Sequence, residues 1–433
     1  MTVLAILVVV LMFVLMAIHV PIGIAMAVAA MVGVSQIIGI QAALKLPESV
    51  LTDILTNSDL ATIPLFLLMG NIAAASGLSQ DLYRLANALV GRFRGGLAMA
   101  TVVGCGGVGA ICGNFVATPA TFMRIASPEM LSRGYRPTVA LGSIAAGGTL
   151  GILIPPSIPM VIYAVLTEQF VIELFTAAVI PGLLAISLYI LTIVIWAKVR
   201  PADMPSGVSP GRRELLEAVV KARDVAVLGA VVSGGIYGGI FTVVEAAAVG
   251  VLLALAFALL RGSLSWSVFR GALAQTAGTT GLIYVIIFGA TLLGYFITLT
   301  QLPEAILRGI EAAELAPIVV ILMLIVFYLI LGCVMDSIGS MVITLPVVFP
   351  LVVGLGYDPI WWGVLNIMLI EIGLITPPIG IQIFILHSMA PTVPLTRIFA
   401  GVMPFFASDL VRIALMVGFP GLALWLPSIL GMG

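Results

Sequence analysis

The sequence predicts an all-α polytopic membrane protein made of two inverted repeats, each with a re-entrant helical hairpin and a discontinuous transmembrane helix. Three observations lead there. Hydrophobic residues make up 62% of the 433 and charged residues 9%, with a mean hydropathy of +1.27, values outside the range of soluble domains. The segment GILIPPSI at 151–158 returns as GLITPPIG at 373–380, a spacing of 222 residues. The short loops around the two copies also carry opposite charge. Paired Gly/Pro-interrupted apolar segments at matching positions of two halves point to a transporter's binding site.

Taken in chain order, the apolar run from Val3 to Ile18 lacks a basic leader and passes straight into another apolar stretch. It reads as a retained helix rather than a cleaved signal. Further runs, Val179–Trp196, Val225–Ile240, Ala246–Leu260 and Ile318–Leu331, approach the ~20 residues of a spanning helix. They are apolar on every face, which excludes the alternation of an outer-membrane barrel. The boundaries read from sequence are scaffold helices over 1–59 and a first repeat over 60–198, with a hairpin near 96–130 and a broken helix near 137–166. A cytoplasmic linker over 199–223 and scaffold helices with an interfacial arm over 224–277 come next. The second repeat is 278–433, with a hairpin near 317–353 and a broken helix near 359–389.

Charge orients these pieces, because basic loops face the cytoplasm. The first hairpin is flanked by Arg84, Arg92 and Arg94 on one side and by Arg133 and Arg136 on the other, so both its ends are basic. The second is flanked by Glu304, Glu311, Glu314 and Asp358, so both its ends are acidic. A segment whose ends share one face must enter the membrane and come back. The glycine-rich run GCGGVGAICGN at 104–114 marks the first bend, and Asp336, Ser337 and Ser340 mark the second. Lys198 to Arg223, Arg261, Arg270 and Arg397 then fall in the cytoplasm, and Lys45 to Asp59 outside. Gln80–Arg94 and Ser263–Gln275, both short and amphipathic, suit helices lying in the cytoplasmic interface as arms.

Each hairpin precedes a helix interrupted by a Pro-Pro pair, which removes backbone donors and frees carbonyls in the preceding turn. Freed carbonyls at midplane are cation ligands. The candidate Na⁺ ligands are Gly113, Asn114, Thr118, Gly148, Thr149 and Gly151 in the first half, and Gly332, Asp336, Ser337, Gly373 and Thr376 in the second. The spacing of 222 places Asn114 on Asp336 and Thr118 on Ser340. These small polar residues would otherwise satisfy one another inside a helix bundle. Candidate substrate contacts are Arg124, Asn114, Thr118, Pro156, Ser157, Ser340 and Pro378. Arg124 is expensive at such depth and suits a carboxylate; the competing readings are snorkelling and a pair with Glu129. Glu371 reads as a member of a structural network in preference to a proton site, and Glu245 and Asp409 as bridges between helices.

Cys105, Cys112 and Cys333 lack metal-ligand spacing and read as small core residues. With only His19 and His387, an intramembrane metalloprotease is not supported. No cofactor other than the coupling ion is expected, no basic stripe points to nucleic acid, and the lipid bilayer is the surrounding medium.

Five longer motifs resemble a known family. IPLFLLMGNI from Ile63, GNFVATPAT from Gly113, PEMLSRGY from Pro128, AAGGTLGILIPPSIPMVIYA from Ala145 and EIGLITPPIG from Glu371 resemble the large membrane subunit of tripartite ATP-independent periplasmic (TRAP) transporters. The resemblance implies Na⁺-driven uptake of an organic acid across the bacterial inner membrane by an elevator movement. It also implies two partners: a small four-helix membrane subunit and a periplasmic substrate-binding protein. The first bend departs from the family's small polar run, because bulky Phe115 comes after Asn114. A self-sufficient Na⁺- or H⁺-coupled carboxylate carrier with the same kind of repeats is the alternative reading, with a passive channel and an intramembrane enzyme behind it.

Overall fold

Apolar runs end where Pro, Gly or a left-handed residue forces a turn, and the computed structural model places helix boundaries at those points. It describes residues 2–113, 117–207 and 211–431, which hold helices and no strand. The chain opens with α1 (Thr2–Ala17), α2 (Ile22–Ile38), α3 (Ile40–Ala43), α4 (Leu46–Thr56), α5 (Thr62–Ala75) and α6 (Leu78–Val90). Next come α7 (Gly96–Cys112), α8 (Ala117–Ser132), α9 (Pro137–Leu153), α10 (Ile158–Thr167) and α11 (Val171–Val199). The second half holds α12 (Arg212–Tyr237), α13 (Val243–Leu260), α14 (Trp266–Thr300), α15 (Leu302–Ala312) and α16 (Pro317–Val334). It closes with α17 (Ser337–Gly354), α18 (Pro359–Gly373), α19 (Ile381–Met389), α20 (Leu395–Gly418) and α21 (Gly421–Ile429). Among the described residues, eight spans are long and apolar enough to cross a bilayer, so the chain is a multi-pass membrane protein.

The element order recurs at the spacing of the repeated motif. Shifted by 222, α7, α8, α9, α10 and α11 fall on α16, α17, α18, α19 and α20 within a few residues, and α2 falls on α13. The correspondence therefore reaches into the stretches assigned from sequence to the scaffold. Local chemistry keeps the same spacing. Gly134 and Gly356 both take φ 84°, and Pro137 and Pro359 each open a helix behind an extended residue. Proline suits that first position, where its missing N–H is not needed. One stretch differs: α3, α4 and α5 occupy in pieces what α14 spans as a single helix of 35 residues.

Three sequence expectations change. Ser263–Gln275 is not a separate arm, because from Trp266 onward it is the first part of continuous α14. The counterpart of α6 at the repeat spacing is α15, and both short amphipathic helices come after a left-handed residue, Gly77 or Gln301. The glycine-rich run at 104–112 does not form the bend but lies within α7. Its missing side chains admit Phe122 at Gly104, Ile154 and Ile186 at Gly106, and Leu82 at Gly107, as small residues do where membrane helices pack closely. The bend begins at Gly113, φ 56°. Finally, Glu245 bridges no helices among the described residues. It caps α13, where Thr242 N donates to its Oε2 at 2.8 Å.

The two broken helices form the centre of the molecule. Residues 139–153 of α9 and 360–373 of α18 are buried without interruption. Both limbs of each hairpin pack on the broken helix of their own half, α7 and α8 on α9, and α16 and α17 on α18. At the periphery α2 and α14 lie backbone to backbone, Gly23 against Val285 and Gly289 against Gly23. The outer face of α16, with Leu322, Met323, Val326, Phe327 and Ile330 exposed, is suited to lipid.

Candidate functional site

In each half the end of the hairpin meets the break of the neighbouring helix. In the first, a Cβ on Gly113 would stand 3.1 Å from Pro156 O. Gly109 of α7 lies directly on Gly151 of α9, and Thr118 Oγ1 is 3.8 Å from the Cβ position of Gly151. In the second, Gly332 of α16 lies on Gly373 of α18, a Cβ on Gly332 falling 2.9 Å from Gly373 Cα. Gly151 and Gly373 each stand four residues before the first proline of a pair, Pro155 or Pro377. A helical carbonyl at that place loses its i+4 N–H donor to the proline ring, and Gly373 O accepts instead from Thr376 N at 3.3 Å.

The structure places the other sequence-derived candidates individually. Asp336 caps α17, accepting from Gly339 N at 2.9 Å. Ser337 Oγ donates to Ile370 O of α18 at 3.4 Å, and Ser340 Oγ donates to Ser337 O at 2.9 Å. Thr376 Oγ1 donates to Ile372 O at 2.7 Å, and the Ser157 hydroxyl donates to Ile152 O. A hydroxyl that gives its hydrogen to a carbonyl keeps its lone pairs, so these oxygens retain the capacity to face a cation. Gly148 sits apart from the first break, covered by Pro119 and by Gln382 of the other half. Asn114 and Phe115 lie outside the described residues. Arg124 is exposed on α8, and Glu129 pairs with Arg133 at 2.7 Å instead of with it.

Thr149 and Glu371 form a link between the halves. They are 222 residues apart, so each occupies the other's position in its own half, and Thr149 Oγ1 lies 2.9 Å from Glu371 Oε1. Glu371 Oε2 pairs with Arg412 at 3.1 Å, Arg412 with Asp409 at 2.9 Å, and Tyr189 Oη donates to Asp409 Oδ2 at 2.8 Å. Both acids and the guanidinium are fully buried. Glu371 is thus a network member, and Asp409 joins α20 to α11. Sequence reasoning passed over Arg412, although a charge pair at i, i+3 inside an apolar helix was the available signal. It also passed over Gln382, which nothing in its local pattern announces.

The breaks differ in exposure. Pro155, Pro156 and Ser157 are buried, whereas Pro377, Pro378 and Ile379 are exposed. Elsewhere, a cavity of about 580 Å³ among α4, α10, α14 and α17 is lined by Asp53, Asn57, Glu168, Tyr295 and Phe349 among others.

Residues 9–422 match the DctM component of the tripartite ATP-independent periplasmic transporters. The chain belongs to that family. It is 37% identical over 374 residues to the C4-dicarboxylate TRAP transporter large permease protein DctM of Pseudomonas aeruginosa, covering 86% of this chain and 87% of the relative. It is 31% identical over 371 residues to the ectoine TRAP transporter large permease protein TeaC of Halomonas elongata, covering 85% and 86%. With the sialic acid TRAP transporter large permease protein SiaM of Vibrio cholerae it shares 29% over 380 residues, covering 87% and 88%. Its fold is similar to that of the YdaH transporter of Alcanivorax borkumensis, at a TM-score of 0.64 and 16% identity over 90% of each chain. This permease is accordingly a transporter component.

Proposed function

We propose that this permease is the large membrane subunit of a Na⁺-driven importer of an organic acid, lodged in the bacterial inner membrane. It works with a small four-helix membrane subunit and receives substrate from a periplasmic binding protein. The observation that carries the reading is the recurrence, at a spacing of 222 residues, of a hairpin end pressed on a Gly-x-x-x-Pro-Pro break. Carbonyls deprived of donors and hydroxyls with free lone pairs are the ligands a Na⁺ ion takes at such breaks.

One Na⁺ is assigned to each half. Gly113, Asn114, Thr118 and Gly151 contribute to the first site, and Gly332, Asp336, Ser337, Gly373 and Thr376 to the second; Gly148, covered by Pro119 and Gln382, and Thr149, turned to Glu371, stand apart from the first. The acid lies between the hairpin ends, near Pro156, Ser157, Ser340 and Pro378, and Arg124 of α8 supplies the cation for a carboxylate. Opposite loop charge gives the halves inverted orientation. The short helices α6 and α15 serve as interfacial arms on which the hairpins and broken helices move as one elevator body. The relatives named for C4-dicarboxylates make a C4 acid the first substrate to try.

The test is uptake of labelled organic acids into proteoliposomes holding this chain, its small membrane partner and its periplasmic binding protein under an inward Na⁺ gradient. Uptake that needs both the gradient and the soluble protein is expected. Na⁺-driven uptake by this chain alone would overturn the partner assignment, and flux indifferent to the gradient would overturn the coupling.

A further inference from the structure

The second limbs of the two broken helices begin differently. Two residues past Gly380 the second half has Gln382, and the register partner in the first half is Met160. Gln382 is 2% exposed, and neither its Nε2 nor its Oε1 has a hydrogen-bond partner among the described residues. Its backbone is anchored, Gln382 N donating to Leu374 O at 3.2 Å. The amide crosses from the second half to the first. Nε2 lies over Gly148 of α9, where only the absence of a Cβ leaves room, beside Pro119 at the start of α8.

A buried primary amide with both ends idle is costly and uncommon in a folded chain. Its position between the start of α8, the middle of α9 and the start of α19 is central to the two halves. The chain just before it, Pro377 to Ile379, is exposed, so the amide lies only a few residues behind the uncovered turn of the second break. The amide's own inventory of one acceptor and two donor hydrogens dictates the chemistry of the missing partner. A simple carboxylate would accept from Nε2 and leave Oε1 bare, and a Na⁺ ion would take Oε1 and leave Nε2 bare. A carboxylate with a hydroxyl on the adjacent carbon satisfies both.

We propose that Gln382 reads the substrate, Nε2 donating to a carboxylate oxygen and Oε1 accepting from the neighbouring hydroxyl, so that the permease favours a hydroxy acid over its deoxy analogue. The inference rests on the organic-acid reading and narrows it to 2-hydroxy acids. Met160 at the equivalent place explains why one such reader serves the whole molecule.

The experiment compares uptake of L-malate and succinate, which differ by that hydroxyl, in proteoliposomes holding the permease, its small subunit and its binding protein. Each variant's malate-to-succinate ratio is divided by that of wild type, so the binding protein's own preference cancels. Gln382→Met is expected to lower the ratio about tenfold, mostly by losing malate, since a site built to bond a hydroxyl discriminates strongly by it. Gln382→Asn keeps an amide one carbon shorter and is expected to lie between Met and wild type. Its ratio decides the matter should the Met variant fail to assemble. A ratio unchanged within about twofold in an assembled variant, or equal loss of both acids, overturns the inference while leaving the carboxylate reading intact. A wild-type complex that moves no acid of the labelled panel overturns both, and one that moves acids other than these two is read by the same ratio on a hydroxy acid it moves and its deoxy analogue.

Discussion

At the first break Pro155, Pro156 and Ser157 are sealed from solvent, whereas at the second the matching Pro377 and Pro378, with Ile379, stand open. The local sequence is nearly the same, so the difference comes from what surrounds it. Ile154 fills the groove left by Gly106 and Gly182, and α10 is packed against α11, α17 and α18. The second limb of the other broken helix, α19, packs on α8, α9 and α20 and leaves its leading turn uncovered. A repeated motif thus fixes where backbone donors are lost, and tertiary packing decides which copy is reached from outside.

The sharpest way to break this comparison is chemical access. In a background with Cys105, Cys112 and Cys333 replaced by Ala, Ile379→Cys should react with a small maleimide at least about tenfold faster than Ser157→Cys, because reaction at a sealed site waits for local opening. Equal rates would remove the distinction between the breaks. Adding Na⁺ and substrate to the reconstituted complex should slow labelling of the Ile379→Cys variant, as expected of a site they close.

Next in size is the link that makes the unequal breaks one body. Arg412→Leu strips the counter-charge from Glu371 and Asp409, which have no water to fall back on, and should destabilise the protein by about 3–5 kcal/mol. Thermal unfolding in detergent or loss of monodisperse protein measures this. Glu371→Gln keeps an acceptor for Arg412 and a polar contact for Thr149, so it should retain most of the stability that Glu371→Leu loses.

A third effect separates the two glycine crossings. A methyl on Gly373 would meet Gly332 Cα, C and O at 2.5, 2.7 and 2.9 Å, whereas one on Gly151 meets Gly109 Cα at 3.1 Å and then only Thr118 Oγ1. Gly373→Ala should therefore cost about 2–3 kcal/mol by overpacking and Gly151→Ala about 1 kcal/mol or less. Unfolding midpoints of the two variants in the same detergent test the order. Equal costs would mean that the neighbouring backbone gives way to a methyl equally at both crossings.

Local and long-range chemistry were not equally legible in the chain. Pro-Pro pairs, left-handed glycines and loop charge act locally, so both hairpins, both broken helices and the spacing that joins them could be read from the sequence. The glycine run at 104–112 misled because a helix uses glycine for close approach as readily as a bend uses it for φ > 0. The second arm was misplaced because Ser263–Gln275 and Leu302–Ala312 are both amphipathic, and only the repeat spacing tells them apart. Burial was illegible: nothing near Pro377 says that α19 leaves it open, and nothing near Gln382 says that its amide reaches Gly148. Such facts depend on residues more than 200 positions away.

The smallest effect tests the most specific feature of the comparison. Thr149 and Glu371 touch although each holds the other's place in its own half, which is the contact expected where an axis relating two halves passes through the molecule. Thr149→Val preserves volume and helix but withdraws the hydroxyl beside Glu371 Oε1. Because Arg412 still holds Oε2, the loss should be about 1 kcal/mol, the size of one buried hydrogen bond. The same change in an Arg412→Leu background should cost more than in wild type, since Glu371 would then have neither neighbour. That non-additivity, read from a double-mutant cycle on unfolding midpoints, distinguishes a coupled link between the halves from two independent contacts. Strict additivity would mean that the closed and open breaks are held together by the packing between the halves, such as α9 on α18 and α20 and α10 on α17 and α18.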